Sequence, residues 1–530
     1  MGAAASTNII HRNRRSLLPS KSSSHVLRNS SLEFVRSLSI HGKRRNRIRK
    51  MSLSSCSVDS TECEEFFQSI RTPRSENDFN YFKNQIPLYP IELLPDAFEQ
   101  TSENEILCQN KKTSVCMLRK KASSDIFALK IGSKNDMKNE MEILQRLDHV
   151  GIAKLYCSYF DAQTKNVSMV LEYGAGGDLH RLMDKNNKKN FSELQIRDIV
   201  LQMLNCLQYL HSKFICHCDV KLENWVFANE YSDRILLIDF GLSCNMKNYR
   251  EGIFDTRGTL FYLAPEVVDK NGYSYGCDMW SLGVLTYIMG FRKMPFKGPD
   301  AKSTMNAICN DPFQFPSNDL SPAFRSFITR LLEKNPENRM TCSVALRHEF
   351  ILSTATSIEP NTSFQPPYLI ESLRHFAQQK PLKRLCTVVV AYEISNKVPQ
   401  FMIDMFKYID HDNFGTVTVE KLRRVLPLSS IADEELDDLF QIVDYTGRGK
   451  LELSEVLAVL LKSAHFDLVP GVLKDVFHKI KQRFDDDMIL SFEACKKFFG
   501  RGFESELPPN TDGINYMDFE TMMKEDSVRN

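Results

Sequence analysis

The stretch that decides the fold is His217-Cys218-Asp219-Val220-Lys221-Leu222-Glu223-Asn224. Fifteen residues after its last asparagine comes Asp239-Phe240-Gly241, and Ala264-Pro265-Glu266 follows. Phosphoryl transfer from ATP needs an aspartate that orients a hydroxyl, a lysine beside it, and an asparagine and a second aspartate that bind a metal ion. A single tripeptide such as Asp239-Phe240-Gly241 would be weak evidence for this chemistry. The order and spacing of the whole set predict a phosphoryl-transfer site.

The composition is typical of a soluble globular protein. The chain has 530 residues, of which 42% are hydrophobic and 25% are charged, and this length predicts three or four domains. No apolar run approaches the roughly 18 residues that a membrane-spanning helix needs. The 14 cysteines show no paired CxxC zinc spacing, and the start of the chain lacks the pattern of a secretory signal. We therefore expect a reduced, intracellular setting.

Hydrophobic periodicity changes along the chain. Short apolar segments alternate with polar turns from about residue 101 to 172, and helical periodicity follows beyond Asp178. A β-rich lobe followed by an α-rich lobe is therefore predicted. The predicted strands are Thr113–Lys120, Ile126–Ile131, Leu155–Phe160 and Val167–Tyr173, and the predicted helices include Met137–Leu147, Gln195–Leu210 and Asp278–Met289.

These motifs resemble those of a protein kinase domain over residues 101–351. Further along, Glu371–Lys380 and Leu382–Leu385 resemble the junction of the calcium-dependent protein kinases, in which the kinase domain is coupled to four EF-hands. The chain is identified as a member of that family or a diverged relative. The resemblance implies an α+β bilobal protein kinase fold followed by an all-α EF-hand (calmodulin-like) region.

Composition and resemblance together divide the chain into six parts. The predicted parts are a basic, mostly disordered N-terminal extension (1–75), a linker (76–100), the kinase domain (101–351), an autoinhibitory junction (352–397), a degenerate EF-hand pair 1–2 (398–464) and a strongly degenerate pair 3–4 (465–530). A contact within the chain between the kinase domain and the EF-hand region is expected from the family.

The resemblance assigns a role to each residue that matches a kinase motif. Asp219 is expected to orient the attacking hydroxyl, and Lys221 to screen charge on the moving phosphoryl group. The D-x-K-x-x-N pattern resembles Ser/Thr kinases, so Ser and Thr of protein substrates are the expected acceptors. The remaining contacts with ATP are expected from Lys130 and its helix partner Glu140, and from Leu107, Val115, Ala128, Glu172, Tyr173, Asn224 and Asp239, the last pair also holding Mg²⁺.

Two departures from the kinase pattern leave the activity open. The three glycine positions of the phosphate-covering loop are Cys108, Asn110 and Thr113, although glycine lets the backbone approach phosphates closely. Cys218 replaces the arginine that normally pairs with a phosphorylated activation loop. We hypothesise that loop phosphorylation, with Thr256 and Thr259 as the residues to test, is not needed. The alternative is a weak or dead pseudokinase that acts as an interaction scaffold.

The EF-hand loops match the Ca²⁺ pattern poorly. Such a loop needs oxygen ligands at positions 1, 3, 5, 7, 9 and 12, yet the first loop ends in Lys421. Ca²⁺ is therefore only a weak candidate for binding to these loops. Its candidate ligands are Asp444, Thr446, Arg448, Lys450 and Glu455 in the second loop, and Asp410, Asp412 and Thr416 in the first. The third unit, drawn as Gln482–Glu493 with Ile489 on the central bridge, and the fourth, Thr511–Phe519, are expected not to bind.

The N-terminal segment is the only strongly basic part of the chain. Residues 1–50 contain twelve Lys or Arg and one acid, whereas the net charge of the whole chain is +1. Gly2 fits the N-myristoylation pattern, and the basic cluster 43–50 supplies the second signal that stable anchoring needs. We expect a cytoplasmic protein that associates with an anionic membrane surface, and no nucleic-acid partner. An organelle transit peptide and a nuclear signal are the alternatives.

The myristoylation hypothesis predicts the effect of one substitution. Gly2→Ala removes the acyl acceptor, and we expect the protein to move from the membrane to the soluble fraction in a sedimentation assay. Unchanged partitioning would rule out the acyl chain as the anchor.

Overall fold

The computed structural model describes most of the chain after residue 87. The described residues are 88–100, 106–109, 112–185, 191–249, 251–317, 319–352, 366–427, 430–444, 447–462, 465–466, 471–481, 490–491 and 513–525. The N-terminal extension, with Gly2 and the basic cluster 43–50, lies outside this part of the chain. Within the described part, no helix is long and apolar enough to cross a membrane.

A seven-stranded sheet forms the first lobe, in the order β1-β6-β7-β5-β4-β2, with β3 paired to β4. The four strands predicted from alternating hydrophobicity are all present, and their ends lie within two residues of the prediction. The strands are β1 (Leu88–Pro90), β2 (Phe98–Gln100), β3 (Ile106–Gln109), β4 (Thr113–Lys120), β5 (Ile126–Ser133), β6 (Leu155–Asp161) and β7 (Asn166–Glu172).

The segment Leu88–Gln100 is part of this sheet, whereas the sequence suggested a linker over 76–100. Strand β1 runs parallel to β6, and β2 pairs antiparallel with β4 from Phe98 to Gln100. Each strand is only three residues long, too short to show an alternating pattern. The buried side chains of Leu94 and Phe98 join the core of the lobe, and their burial offsets the cost of ordering the segment.

Helix α2 crosses the sheet of the first lobe, and an α-rich lobe follows. Ser133 caps α2 by accepting a hydrogen bond from the backbone N–H of Asp136. The helices of the two lobes are α1 (Leu94–Ala97), α2 (Lys134–Leu144), α3 (Leu179–Lys185), α4 (Glu193–Ser212), α5 (Pro265–Val268), α6 (Gly276–Phe291), α7 (Ala301–Asn310), α8 (Pro322–Leu331), α9 (Cys342–Ala345) and α10 (Glu349–Leu352). The short strands of the second lobe are β8 (Gly177–Asp178), β9 (Ile215–Cys216), β10 (Trp225–Phe227), β11 (Ile235–Leu237) and β12 (Cys244–Asn245); they form a three-stranded sheet, β11-β10-β8, and the pair β12-β9.

A second hydrophobic core holds the C-terminal helices together. Two antiparallel bridges join their loops: β13 (Thr416–Val417) with β14 (Leu451–Glu452), and β15 (Leu490–Ser491) with β16 (Gly513–Ile514). The helices are α11 (Pro366–Gln378), α12 (Pro381–Ile394), α13 (Gln400–Ile409), α14 (Val419–Val425), α15 (Asp433–Val443), α16 (Leu453–Leu460), α17 (Val472–Lys481) and α18 (Tyr516–Lys524). The predicted α+β bilobal fold followed by a helical region is confirmed.

The register of the third loop differs from the one read from the sequence. Leu490 pairs with Ile514, so Leu490 holds the central bridge position that was assigned to Ile489. The sequence alone did not resolve a shift of one residue, because both residues are apolar. The other residues named for units three and four, apart from 513–519, lie outside the described part.

A buried ion pair between Glu266 and Arg339 stabilises the α-rich lobe. The Arg339 guanidinium donates to both Glu266 oxygens at 2.6 and 3.0 Å, and also to the backbone carbonyls of Gly276 and Glu333. The Arg339 side chain has no exposed surface. A buried ion pair whose remaining hydrogen bonds are also satisfied is costly to break from one side.

We therefore expect Arg339→Met to lower the free energy of unfolding by about 3–5 kcal/mol, because it leaves the Glu266 carboxylate buried without a partner. Denaturant unfolding of the full chain measures the loss. Arg374→Met, which removes the exposed pair between Arg374 and Glu435, is the control and should change stability far less. Equal losses in the two variants would contradict a structural role for the buried pair.

Candidate active site

One ammonium group joins three parts of the cleft between the lobes. Lys130 of β5 lies 2.7 Å from both carboxylate oxygens of Glu140 on α2 and 2.8 Å from Oδ1 of Asp239. The Glu140 side chain is 2% exposed. The predicted pairing of Lys130 with Glu140 is therefore present across a ten-residue interval. A kinase needs both this ion pair and the metal-binding aspartate in place for catalysis.

The residues around Asp239 complete this arrangement. The backbone N–H of Phe240 donates to Glu140 at 3.3 Å, and the fully buried Phe240 ring lies 5.0 Å from the His217 ring. Burial alone would raise the pKa of Asp239, but the nearby Lys130 ammonium outweighs it and lowers the pKa below its usual value. Asp239 is therefore an ionised carboxylate at neutral pH.

Asp219 lies at the centre of a second cluster. Its carboxylate accepts hydrogen bonds from Lys221 and, at 2.8 Å, from the Thr259 hydroxyl. The Asn224 side-chain amide donates to the backbone carbonyl of Asp219 at 2.9 Å. The backbone N–H of Ile238 donates to the carbonyl of Asn224 at 2.9 Å, which holds Asn224 beside the segment that carries Asp239. The catalytic and metal-binding candidates from the sequence thus meet in one place.

The donor set around this cluster fits Mg²⁺. Mg²⁺ prefers hard oxygen ligands and is commonly bound by one or two carboxylates together with substrate phosphates. Asp239 offers an ionised carboxylate. The side-chain nitrogen of Asn224 donates a hydrogen bond to the backbone carbonyl of Asp219, so the side-chain oxygen of Asn224 is available to a metal ion. Asp239 and Asn224 are therefore the residues that would hold Mg²⁺ here.

Thr259 belongs to this cluster, although the sequence suggested it only as a phosphorylation candidate. Its hydroxyl donates to Asp219, and the Lys221 ammonium lies 3.1 Å from the same oxygen. Gly258 permits this approach, since it has a φ of +113° and a Cβ atom there would lie 2.7 Å from the Cys218 carbonyl oxygen. The only indication in the sequence that Thr259 belongs to the site was its position just before Ala264-Pro265-Glu266.

Cys218 is a buried residue of the catalytic loop His217–Asn224. Asp278 of α6 accepts hydrogen bonds from the backbone N–H groups of His217 and Cys218, each at 2.9 Å. The sulfur atoms of Cys216, Cys218 and Cys277 lie within 4.8 Å of one another. The loop is therefore held by main-chain hydrogen bonds and small side chains.

Arg257 ties down the activation segment and was not identified from the sequence. Its guanidinium donates to Asp255 at 2.8 Å, to Cys244 Sγ at 2.7 Å and to the Tyr249 hydroxyl at 3.3 Å. These contacts connect Arg257 with two other residues of the activation segment and with strand β12. An arginine of the segment thus makes internal contacts that need no phosphate group.

The predicted adenine side of the cleft lies along β4, β5 and β7. Val115 pairs with Lys130, and Ala128 pairs with Leu171. Leu107 lies on β3, beside a bulge between Ile106 and Cys108. Val115, Ala128 and Leu107 are half-buried, as expected for residues that line an open cleft.

The side chain of Glu172, in the hinge segment Leu171-Glu172-Tyr173 between the lobes, is held by an arginine. The Glu172 carboxylate accepts from Arg234 at 2.7 Å, so contact with ATP would come from the backbone of Glu172 and Tyr173. Asp178 caps the next helix by accepting from the N–H of Arg181 at 2.8 Å.

The phosphate-covering loop is only partly described. Thr113 starts β4 opposite Gly132, and the exposed Cys108 pairs with Val115. Asn110 lies outside the described residues. Lys112, next to the loop, forms an ion pair of 3.0 Å with Asp136 on α2.

The Ca²⁺ candidates of the first loop surround a lysine. Asp410 Oδ1 and the Thr416 carbonyl oxygen each lie 2.6 Å from the Lys421 ammonium, which Asp412 also contacts. The residues predicted as weak Ca²⁺ ligands are therefore brought together, but their shared partner is a side chain of the same loop. The set does not fit Ca²⁺ as it stands.

The second loop also contains a cationic side chain, Arg448, at position 5 rather than at position 12. Arg448 Nη2 lies 3.2 Å from both oxygens of Glu455, so Arg448 is a partner of the carboxylate rather than a ligand. The Asp444 carboxylate accepts from the N–H of Gly449 at 2.6 Å. Lys450 is half-buried, and Thr446 lies outside the described residues.

Comparison with known proteins identifies the domain. Residues 102–351 match the family model described as a protein kinase domain. The chain is 28% identical over 435 residues to calcium-dependent protein kinase 33 of Arabidopsis thaliana, covering 79% of this chain and 81% of that protein. It is 32% identical over 289 residues to myosin light chain kinase 3 of Pongo abelii, covering 54% of this chain and 34% of that protein.

A further relative is calcium-dependent protein kinase 3 of Plasmodium berghei, 28% identical over 350 residues and 64% of this chain. The match spans less than two thirds of that relative, 62% of its length. The Arabidopsis match extends far beyond the 250 residues of the kinase domain. Residues 102–351 therefore form a protein kinase domain, and beyond that domain the chain is similar to the calcium-dependent protein kinases.

Proposed function

We propose that this chain is a serine/threonine protein kinase that uses ATP and Mg²⁺ and is regulated through its junction and EF-hand region. The observation that carries the proposal is the Lys130 ammonium, which contacts Glu140 and Asp239 at once while Phe240 is buried. A cleft in this arrangement needs no rearrangement of α2 or of the Asp239 segment before the nucleotide enters.

The proposed reaction assigns a task to each residue of the Asp219 cluster. A substrate Ser or Thr hydroxyl gives its proton to the Asp219 carboxylate as its oxygen attacks the γ-phosphorus, and the bond from that phosphorus to the oxygen bridging to the β-phosphate breaks. Lys221 stabilises negative charge on the moving group. Lys130 positions the α- and β-phosphates. Asn224 and Asp239 would hold Mg²⁺, which would neutralise negative charge on the phosphates.

The similarity to calcium-dependent protein kinases supports the Ser/Thr specificity and the regulatory role of the C-terminal helices. The pattern Asp219-Val220-Lys221-Leu222-Glu223-Asn224 agrees with it. The substituted glycine positions Cys108 and Thr113 weaken contact with the phosphates but leave Lys130 and the metal ligands in place.

We also propose that Gly2 myristoylation and the basic cluster 43–50 bring the kinase to an anionic membrane surface from the cytoplasm. The support is the sequence pattern together with the uneven charge of the chain.

The central proposal predicts the outcome of a phosphate-transfer assay. With MgATP and a basic Ser/Thr peptide, the full-length chain should transfer phosphate, and Asp239→Asn should lower kcat at least about 100-fold because an electrostatic group of the transition state is removed. Asp233→Asn, an exposed change on the same lobe, is the control. ATP binding without any transfer would instead support the pseudokinase scaffold.

Two threonines of the activation segment should behave differently. Thr259→Val removes a hydrogen bond to the charged Asp219, and such bonds contribute roughly 1.5–3 kcal/mol, so kcat should fall about tenfold or more. Because Thr256 is exposed and does not belong to the Asp219 cluster, Thr256→Ala should leave kcat/KM unchanged. A large loss in Thr256→Ala would show that the kinase depends on phosphorylation of this loop.

A further inference from the structure

The first EF-hand loop contains its own cation. Asp410, Asp412 and Thr416 occupy positions 1, 3 and 7, which supply Ca²⁺ ligands in a working loop. Here their oxygens surround the Lys421 ammonium, with 2.6 Å contacts from Asp410 Oδ1 and from the Thr416 carbonyl. An ammonium group has three N–H donors, and three acceptors meet it. Lys421 is 7% exposed, so the charge is enclosed as a bound ion would be.

The second loop uses a guanidinium group in the same way. Glu455 stands at position 12, where a working loop has the glutamate that binds Ca²⁺ through both oxygens. Arg448 at position 5 contacts both of these oxygens at 3.2 Å and Glu452 Oε1 at 3.2 Å. Glu452 and Glu455 have no exposed surface. Buried carboxylates without a nearby positive charge would be strongly destabilising.

The two loops are paired by an antiparallel bridge while these two side-chain cations occupy their acceptor groups. Thr416 pairs with Glu452 and Val417 with Leu451. Gly415 and Gly449, at position 6 of each loop, both have positive φ values, +69° and +68°, as the sharp turn at this position requires.

The paired loops also contact the kinase domain. A Cβ atom on Gly415 would lie 2.3 Å from Tyr209 Cδ2, so the first loop packs directly on α4. From the second loop, the N–H of Ser454 donates to Asp148 at 3.0 Å, and Glu452 forms an ion pair with Lys213. The loops that would bind Ca²⁺ are thus the surface that contacts the kinase.

The junction continues this contact up to the hinge. The Lys154 ammonium lies 3.8 Å from the centre of the Tyr392 ring and 3.0 Å from Ser395 Oγ. Asn396 donates to the Tyr156 hydroxyl at 2.8 Å and to Glu172 at 3.4 Å. Of these kinase-domain residues, only Glu172 was predicted to contact ATP, and its carboxylate is held by an arginine. The junction therefore packs against residues next to the hinge. None of these contacts involves the Asp219 cluster.

We propose that Lys421 and Arg448 replace Ca²⁺ in the first EF-hand pair, so that this pair stays docked behind the kinase hinge in the absence of Ca²⁺. The consequence for phosphate transfer rests on the proposed function, whereas the ion replacement does not. The proposal makes Lys421 the residue that closes a latent Ca²⁺ site, because it takes the place of the position-12 carboxylate.

Calorimetric titration of the full-length chain with CaCl₂, after removal of divalent ions, tests the replacement. Lys421→Glu restores the missing ligand and should bind one more Ca²⁺ per chain than wild type. The expected dissociation constant is about 10⁻⁴ M, at the weak end for such loops, because Phe414 supplies no side-chain oxygen at position 5. Arg424→Glu, an exposed residue of the same helix α14, is the charge-matched control and should bind as wild type does.

A second variant covers the case in which Lys421→Glu does not fold. Lys421→Met removes the cation and adds no ligand, so the docked form should loosen. Hydrogen exchange in chelator should then be faster at the Ser454 amide, which contacts Asp148, than in wild type or Arg424→Met.

Equal Ca²⁺ stoichiometry in wild type and a folded Lys421→Glu variant would overturn the proposal, as would unchanged Ser454 exchange in Lys421→Met. Neither measurement depends on phosphate transfer, so a failed kinase assay would count against the proposed activity alone.

Discussion

The sharing of one positively charged group between two carboxylates is the constraint on which this structure depends. In the cleft, the Lys130 ammonium contacts Glu140 and Asp239, which come from α2 and from the second lobe. Removal of that charge would leave the buried Glu140 carboxylate close to the carboxylate of Asp239, and like charges repel. The same group therefore positions the nucleotide contacts and keeps the two lobes in register.

The paired loops that contain Lys421 and Arg448 meet the same physical requirement with other side chains. Asp410, Glu452 and Glu455 are buried, and Lys421 and Arg448 supply the charge that an ion would bring. A covalently attached cation costs no binding entropy and does not depend on ion concentration. The paired loops can thus persist as a structural element after their ligand pattern has been lost.

Sequence reasoning succeeded where chemistry repeats over short distances. The lysine, glutamate and aspartates of the cleft could be assigned because the kinase motifs fix their spacing, and β4 began and ended where the alternating pattern did. The unfavourable charge of Lys421 was also visible in the sequence. Its actual role was not, because a lysine at position 12 could equally have turned to solvent.

The features that sequence reasoning missed all depend on contacts between distant residues. The strands within Leu88–Gln100 are recognised only through their partners β6 and β4. Nothing local links Thr259 to Asp219, or Gly415 to Tyr209. The one-residue register of the third loop was ambiguous because Ile489 and Leu490 are equally apolar. Tertiary packing, rather than propensity, decided each case.

Phosphate transfer by the full-length chain in the presence of a Ca²⁺ chelator, with MgATP and a basic Ser/Thr peptide, tests the central claim most directly. The Lys130 contacts and the self-neutralised loops predict measurable transfer before any Ca²⁺ is added. Transfer that begins only after Ca²⁺ is supplied would contradict the account, because the first EF-hand pair would then need a metal ion to hold the kinase in its working form.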